Sequence, residues 1–273
     1  MALSLSACTS APDASPSPSG ASAKELNLVV IGDSIPYNSP DDCPGCTGFV
    51  TQYAKVLESK AGRTVVIANR SRHDGAKLAD IAKQLGDDAS LRSELANADA
   101  VIVSIGFNNG APWPSDRPCK GTPGTETREQ IATVLAYTPS CITATIKSYE
   151  AEYNAIYSSV TKQVGGKSNV RFALTVHNTW IGFPGIETQA SPVNLAALIP
   201  ITRRIADQWN AMLCRVAIRN GFACVDVYHA FNGPQGNLAA GANLVADYAH
   251  PSQQGNDVIA ALLARVDVSA LSP

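Results

Sequence analysis

Three residues near the two ends of the chain have the types and order that serine-dependent acyl transfer requires. Ser34 follows an aliphatic run, in LVVIGDSIPYN from Leu28 to Asn38, and Asp247 and His250 lie in DYAHPSQQG. A serine hydroxyl is a poor nucleophile at neutral pH, so it needs an imidazole within hydrogen-bond reach and a third group that orients this imidazole. The chain offers all three, although a serine at a strand end can also be a simple polar cap.

A second Asp-x-x-His pair, Asp226 and His229 in CVDVYHAF, competes for the same role. Residues three apart on an extended strand point to opposite faces, so a strand that continues through Tyr228 would keep these two side chains apart. Asp247 and His250 instead precede a proline in a polar loop, where such a contact forms easily. We therefore expect His250 to be the base.

Donors for a developing oxyanion are expected at the same edge of the fold. Gly106 and Asn108 stand in VIVSIGFNN, and Gly75 stands in NRSRHDGAKLADI, where its N–H would be free if it opens a helix. Each of them alone is an ordinary turn residue. Of the four histidines in the chain, the remaining two, His73 and His177, lie in predicted loops nearby and are more often structural at such positions.

Short aliphatic runs alternate with helical patterns along the chain. The predicted strands cover residues 26–31, 64–68, 100–105, 170–176 and 222–227. The predicted helices cover about 48–60, 76–85, 142–164, 200–220 and 253–266. Runs rich in Val and Ile are typical of strands buried on both faces. The alternation predicts a parallel sheet with helices on both sides and Ser34 at its carboxyl edge, where ligands bind in such folds.

Two predicted loops are unusually long, residues 107–141 and about 177–198. Long ordered loops are often functional, and both follow a strand, so they would lie over the edge that carries Ser34. The second contains Trp180, Ile181, Phe183 and Pro184. We expect Trp180 and Phe183 to line an acyl pocket; the alternative is that these side chains only pack the loop onto the core.

The cysteines indicate an oxidising compartment. Six of the seven fall along the chain as near neighbours: Cys43 and Cys46, Cys119 and Cys141, Cys214 and Cys224. Six cysteines allow 15 pairings, and sequential pairing into three disulfides is the simplest. The CPGC spacing is also that of thioredoxin-like redox motifs, but it follows the serine segment by a few residues and lacks its own βαβ unit. A structural zinc would need four ligands, and a single CxxC does not supply them.

The first 25 residues predict export. Leu5 to Cys8 read LSAC, which resembles the lipobox of bacterial lipoproteins and would place a lipid on Cys8, although the segment before it is too short for a full signal. Thr9 to Ala23 form a Ser/Ala/Pro tract that is typical of a solvated tether. The alternative is a disordered tail with an incidental cysteine. Residues 26–273 are expected to form a single domain.

Composition excludes several classes of function. The 273 residues carry a net charge of −2 without a basic cluster, so nucleic acid is not an expected partner. No apolar run approaches the roughly 20 residues that span a bilayer, so membrane contact is expected only through a lipid at Cys8. We expect a monomer that acts on a small-molecule ester, a lipid or an acylated sugar.

These blocks together resemble the SGNH hydrolases, also called the GDSL esterase/lipase family. The resemblance rests on GDSI, Gly75, GFNN and DYAHPSQQG, in order, and spans Val29 to about Ala261. It implies a three-layer α/β/α sandwich of flavodoxin-like type with a five-stranded parallel sheet. The third block usually reads G-x-N-D, and Asn109 replaces its acid, which puts one supporting contact in doubt. The six cysteines resemble those of secreted, disulfide-bearing actinobacterial members.

The same resemblance implies roles for the candidate residues. Ser34 would be the nucleophile, His250 the base and Asp247 its orienting group, while the Ser34 N–H, the Gly75 N–H and the Asn108 side chain would form the oxyanion hole. The implied function is a cell-surface serine esterase that uses neither metal nor cofactor. The alternatives are a carbohydrate O-acetylesterase and a catalytically silent surface binding protein. A flavodoxin-like nucleotide binder would need a Gly-rich phosphate loop, which GDSIPYN is not.

Overall fold

A five-stranded parallel sheet forms the centre of the computed structural model, which describes residues 25–121, 127–164, 169–182 and 192–271. The strands are β1 (Leu26–Gly32), β2 (Val65–Asn69), β3 (Ala100–Ser104), β4 (Val170–Leu174) and β5 (Ala223–Val225). Their order across the sheet is β2-β1-β3-β4-β5, and every neighbouring pair is parallel. This is the flavodoxin-like order, and the predicted α/β fold is confirmed.

Helices cover both faces of the sheet. They are α1 (Ser34–Tyr37), α2 (Phe49–Ala61), α3 (Leu78–Asp87), α4 (Ala89–Asn97), α5 (Thr127–Leu135), α6 (Pro139–Val164), α7 (Pro192–Arg219), α8 (Val227–Asn232) and α9 (Gln253–Leu263). Short 3₁₀ turns lie at Phe107–Asn109, Gly241–Asn243 and Ser269–Leu271. Among the described helices, none is long and apolar enough to cross a membrane.

Alternate side chains of the strands feed two separate cores. Because successive side chains on a strand point to opposite faces, Val29 and Ile31 pack against α3, α4, α6 and α7, whereas Leu28 and Val30 pack against α2 and α9. All four are at most 1% exposed. Burial on both faces explains why the strand sequences are continuous aliphatic runs, and it produces the three layers.

β2 differs from the prediction that every strand is buried on both faces. It lies at the edge of the sheet, and its residues Val66 and Ile67 are 42% and 37% exposed. A Val/Ile-rich run indicates a strand. It does not indicate whether a neighbouring strand or helix covers that strand.

Several predicted boundaries are wrong where helices form without a strong periodic signal. α4 was not predicted, since it buries little beyond Leu91 and Leu95 and begins at Asp88, whose side chain accepts the Leu91 N–H. α5 lies inside the predicted loop 107–141, and α7 begins at Pro192 inside the predicted loop 177–198. β5 ends at Val225, two residues before the end of the predicted strand, because Asp226 caps α8 and the helix begins at Val227.

The three sequential cysteine pairs lie at disulfide distance. Their Cα atoms are 5.5 Å apart for Cys43 and Cys46, 5.0 Å for Cys119 and Cys141, and 5.3 Å for Cys214 and Cys224. The first closes a turn just after α1, the second ties the segment after β3 to the start of α6, and the third joins α7 to β5. Cys8 lies outside the described residues.

The two-core arrangement predicts a large loss of stability when a central aromatic side chain is removed. Phe172 on β4 is fully buried and packs edge-on against Tyr53 of α2, with ring centroids 5.4 Å apart. Phe172→Ala should lower the free energy of unfolding by about 3–5 kcal/mol through the lost contacts and the cavity left behind. Denaturant unfolding with the disulfides intact measures this. The control Ile218→Ala, at a 62% exposed position, should change stability by less than about 0.5 kcal/mol; equal effects would contradict the assignment of the core.

Candidate active site

Ser34 is held at the carboxyl end of β1 by the first turn of α1. Asp33 is the N-cap of this helix, and its Oδ1 accepts the Ile35 N–H at 3.1 Å. Gly32, the residue before it, passes so close to β3 that a Cβ there would lie 2.1 Å from the Ser104 carbonyl oxygen. Only glycine fits this approach. The chain then turns directly from a buried strand into a four-residue helix, and Ser34 stands at its start, 9% exposed.

The structure brings Ser34, His250 and Asp247 together. The His250 Nε2 lies 2.9 Å from the Ser34 Oγ, and the His250 Nδ1 lies 2.6 Å from the Asp247 Oδ2. A carboxylate accepts hydrogen bonds only, so Nδ1 carries the hydrogen and the Nε2 lone pair faces the serine hydroxyl. This is the tautomer that a general base needs.

A tight loop fixes the Asp247–His250 pair. The Asp247 Oδ1 accepts the backbone N–H groups of Ala249 at 2.8 Å and of His250 at 3.0 Å, while the Val245 N–H donates to the His250 carbonyl oxygen at 3.0 Å. Burial alone would raise the pKa of Asp247, but the hydrogen bonds from the His250 ring and from these two backbone groups lower it below its ordinary value. The carboxylate therefore stays ionised beside the imidazole.

The structure corrects the reason given against Asp226 and His229. The strand stops at Val225, Asp226 caps α8, and its carboxylate contacts the His229 Nδ1 at 2.7 Å. The two side chains therefore do meet, because a helix N-cap and its third residue share a face. This pair lines a separate groove with Tyr228 and is not among the groups that contact Ser34.

The predicted oxyanion donors lie in two loops beside Ser34's strand. Asn108 belongs to the 3₁₀ turn after β3, and its Nδ2 donates to the Ala76 carbonyl oxygen at 3.1 Å. An amide nitrogen carries a second hydrogen, which can donate to another acceptor. Gly75 has a φ of +73°, with open space where a Cβ would stand. It does not open a helix as predicted, since α3 begins at Leu78 after the N-cap Lys77.

Gly106 and Asn109 support this turn. Gly106 has a φ of +125°, and a Cβ there would lie 2.0 Å from the Tyr153 Oη, so no other residue fits. The Asn109 Oδ1 accepts the Leu78 N–H at 2.9 Å, at the start of α3. The departure from an acid at this position therefore keeps an acceptor for the helix terminus, and it links the Asn108 turn to the loop that carries Gly75.

Two buried groups beneath the site have shifted pKa values of opposite consequence. Burial raises the pKa of Asp33 from its ordinary 3.8 to about 7, against the backbone N–H groups of Ile35, Phe107 and Gly106, which lower it. Burial lowers the pKa of His177 from 6.5 to about 4. His177 stacks on Phe107, and its Nε2 donates to the Ala249 carbonyl oxygen at 3.0 Å, which holds the loop before His250.

Comparison with known proteins agrees with this geometry. The model of the GDSL-like Lipase/Acylhydrolase family matches residues 30–258. The chain belongs to this family. No curated protein matches it.

Solved structures share the fold of this GDSL-family chain at low identity. A lipase from a goat rumen metagenome has a TM-score of 0.62 and 16% identity, covering 87% of this chain and 95% of its own. An acetylxylan esterase from Geobacillus stearothermophilus has a TM-score of 0.55 and 18% identity, covering 89% and 95%. An α/β hydrolase from the metagenome of Lake Arreo, Spain, has a TM-score of 0.52 and 20% identity, covering 87% and 92%. At these identities the likeness concerns the fold.

A mostly apolar cavity of about 180 Å³ lies beside the 3₁₀ turn that carries Asn108 in this GDSL-family chain. Phe107, His177 and Trp180 line it, and Trp209 lies at its wall. The backbone N–H of Phe107 also donates to Asp33, the residue before Ser34, so the cavity and the site share this turn. Trp180, which we expected to line an acyl pocket, lines this cavity. Phe183 lies outside the described residues.

A polar edge on another side of Ser34 includes a residue that sequence analysis missed. The Asp42 Oδ2 lies 3.5 Å from the His250 Nε2 and 2.8 Å from the His73 Nε2. Tyr37, 46% exposed, stacks on the His73 ring with centroids 5.2 Å apart. Asp42 stands next to Cys43, but the Cys43–Cys46 pair fixes only its own turn, so no local pattern in the sequence places Asp42 beside His250.

The pKa shifts of Asp33 and His177 predict opposite pH dependences of stability. The folded protein holds a proton on Asp33 that the unfolded chain has lost between about pH 4 and 7, so this group's contribution to stability falls as pH rises. The unfolded chain holds a proton on His177 that the folded protein lacks between about pH 4 and 6.5, so that contribution rises with pH.

Thermal unfolding from about pH 5 to about pH 8 measures both effects. The stability of wild type relative to Asp33→Asn should fall across this range, whereas its stability relative to His177→Gln should rise. Two slopes of the same sign would contradict the assignment.

Proposed function

We propose that this GDSL-family protein is a serine esterase that hydrolyses carboxylic esters through an acyl-enzyme intermediate. The observation that carries the proposal is the chain of contacts from Ser34 Oγ to His250 Nε2 at 2.9 Å and from His250 Nδ1 to Asp247 at 2.6 Å. A binding protein with this fold has no need for a serine hydroxyl that faces an imidazole lone pair with an ionised carboxylate behind it.

The steps follow from the positions of these groups. Ser34 Oγ attacks the ester carbonyl carbon while His250 Nε2 takes the hydroxyl proton, and the carbonyl oxygen becomes an oxyanion. The Ser34 and Gly75 N–H groups and the Asn108 amide would donate to this oxyanion. The imidazolium, stabilised by Asp247, returns its proton to the departing alcohol oxygen. Water, activated by His250, then attacks the acyl-serine and releases the acid.

The size of the apolar cavity favours a short acyl group. Its volume of about 180 Å³ is below the ~300 Å³ at which pockets for drug-sized ligands begin. Trp209 and Ile205 are among the large side chains that line it. A short acyl chain can be desolvated against Phe107 and Trp180, whereas a long fatty chain would extend into water.

The polar edge favours a second candidate, an O-acetylesterase that acts on carbohydrate. The leaving oxygen has to come within reach of His250 Nε2, and Asp42 lies 3.5 Å from that atom with His73 beyond it. A carboxylate and an imidazole favour hydroxyl donors over an alkyl chain, and an exposed ring such as Tyr37 is suited to stacking against a sugar. The alcohol half of the ester would then be a polyol.

We also propose that the protein works outside the cytoplasm as a monomer, tethered by a lipid on Cys8. Three cysteine pairs at disulfide distance support an oxidising compartment, because such bonds are rare where glutathione keeps thiols reduced. Mass spectrometry of the protein purified from its native membrane, before and after lipoprotein lipase treatment, tests the anchor.

Substitutions at the reacting groups should remove activity. Ser34→Ala and His250→Ala should abolish hydrolysis of p-nitrophenyl acetate, because one removes the nucleophile and the other its base. Asn108→Ala should lower kcat by about 10²–10³, the usual effect of losing one oxyanion donor. The matched control is His229→Ala, which removes the histidine of the other Asp-x-x-His pair and should leave kcat unchanged. Full activity in Ser34→Ala would overturn the proposal.

The cavity predicts a preference for short acyl chains. With p-nitrophenyl acetate, butyrate, octanoate and palmitate, kcat/KM should be highest for the first two and fall sharply at octanoate. A maximum at palmitate would show instead that the enzyme is a lipase. If none of the four is cleaved, labelling of Ser34 by a fluorophosphonate separates a strict sugar deacetylase, which reacts, from a silent binding protein, which does not.

A further inference from the structure

The active-site edge carries a cluster whose chemistry the ester reaction does not use. Asp42, His73 and His250 place one ligand-type atom each within 4.8 Å of one another. The Asp42 Oδ2 stands between the two rings, 2.8 Å from His73 Nε2 and 3.5 Å from His250 Nε2. In the part of the chain that the structure describes, no other such group of three was found.

His250 is already oriented as a metal-binding histidine would be. Its Nδ1–H donates to the Asp247 carboxylate at 2.6 Å, which leaves the Nε2 lone pair on the side of Ser34 and Asp42. The same carboxylate–histidine arrangement fixes the tautomer and raises the basicity of imidazoles that ligate zinc. The contact that prepares His250 to accept a proton therefore also prepares it to bind a cation.

One of the three distances already suits a tetrahedral ion, and the other two lie within 4.8 Å. Bonds of about 2.0–2.1 Å from zinc to nitrogen or oxygen place neighbouring ligand atoms about 3.3–3.5 Å apart. Asp42 and His250 have this separation, at 3.5 Å. Asp42 and His73 are closer, at 2.8 Å, because the His73 Nε2–H donates to the carboxylate. When a metal ion binds at Nε2, the neutral ring carries its hydrogen on Nδ1 instead, by exchange with water. The His73 side chain is 36% exposed, so it can open this distance without disturbing the core.

Asp42 is held in place before any ion arrives. Its N–H and that of Cys43 donate to the Ser39 carbonyl oxygen at 3.1 and 3.2 Å, and Cys43 is paired with Cys46. The turn is closed both by hydrogen bonds and by the cysteine pair. A carboxylate on a fixed turn loses little conformational freedom on binding, which favours affinity.

We propose that Asp42, His73 and His250 form an inhibitory site for a zinc-type divalent cation. Two imidazoles and one carboxylate favour zinc, cobalt, nickel or copper over calcium and magnesium, which prefer oxygen ligands. An ion on His250 Nε2 occupies the lone pair that accepts the Ser34 proton, so the metal-bound protein cannot activate its nucleophile in this way. The inhibitory effect rests on the proposed esterase function, whereas the binding does not.

The second Asp-x-x-His pair is an internal control. His229 Nδ1 lies 2.7 Å from Asp226, nearly the same distance as in the Asp247–His250 pair, and His229 is more exposed. It differs in having no Asp42 and His73 beside it. If an oriented histidine is sufficient for metal binding, both His229 and His250 should bind the ion. If the cluster with Asp42 and His73 is required, only His250 should bind it.

Binding is tested without any catalysis. Zn²⁺ titration by calorimetry, and Co²⁺ titration by absorption spectroscopy, are made on the Ser34→Ala protein with its disulfides intact. We expect one ion per chain and visible Co²⁺ bands of low-coordinate type. Adding His73→Gln or Asp42→Asn should weaken binding at least tenfold, whereas adding His229→Gln should not change it. Absence of binding at millimolar Zn²⁺, or binding that is indifferent to His73 and Asp42, would overturn the site.

Inhibition is then tested on the active protein. Zn²⁺ should reduce turnover of p-nitrophenyl acetate with the concentration dependence of the calorimetric binding, a chelator should restore it, and Mg²⁺ should have no effect. The Zn²⁺ concentration that halves the rate, relative to the rate of the same protein without metal, should be at least tenfold higher for His73→Gln than for the wild type. Binding without inhibition in an active enzyme would overturn the inhibitory role. If the wild type cleaves no ester, the esterase proposal fails while the calorimetric result for the metal site stands.

Discussion

The hydrogen bond between Ser34 and His250 depends on two segments that lie 216 residues apart, and a buried asparagine joins the elements that carry them. Asn256 of α9 accepts the Phe49 N–H, at the start of α2, at 2.9 Å, while its Nδ2 donates to the Pro251 and Ser252 carbonyl oxygens. Asn256 is fully buried, so breaking these bonds would leave unpaired polar groups without water. The loop of His250 is thus fixed to the helix that follows the loop of Ser34. The distance between Ser34 Oγ and His250 Nε2 is therefore a consequence of packing between α2 and α9.

Beneath this contact lie two buried groups whose charged forms are disfavoured by burial. Asp33 and His177 are both buried, and burial disfavours the charged form of each, which raises the pKa of one and lowers that of the other. The remaining strong charge near His250 is then that of Asp247, whose pKa is lowered, with Asp42 at the rim. Near pH 7, His177 is therefore neutral and Asp33 is only partly ionised, so Asp247 is the more fully charged of these two carboxylates. As a result, the stability of the folded protein depends on pH through Asp33 and His177, whose contributions change in opposite directions.

The sequence was sufficient to predict a parallel α/β sheet and to name Ser34, Asp247 and His250 as candidates, because each of these predictions depends on local features. A buried parallel strand requires an uninterrupted aliphatic run, and a serine nucleophile requires a histidine and an acid that are rare enough to be counted. The features that the sequence did not predict depend on contacts between distant segments. α4 is stabilised by the N-cap at Asp88 and two leucines, too weak a pattern to recognise. The exposure of β2 depends on its place at the sheet edge, and the position of Asp42 beside His250 depends on how the Cys43–Cys46 turn packs.

The two Asp-x-x-His pairs show where local sequence stops carrying function. In both, the aspartate carboxylate binds the histidine backbone N–H at 3.0 Å and its Nδ1 at 2.6 or 2.7 Å. The motif therefore forms the same oriented imidazole twice, once at a helix N-cap and once in a loop, and neither copy is chemically special by itself. What differs is the group opposite Nε2. One ring faces Ser34 and Asp42; the other lies in a separate groove with Tyr228. Function at His250 is a property of the sheet edge that assembles its neighbours, and a motif search that ranks the two pairs by spacing alone would rank them equal.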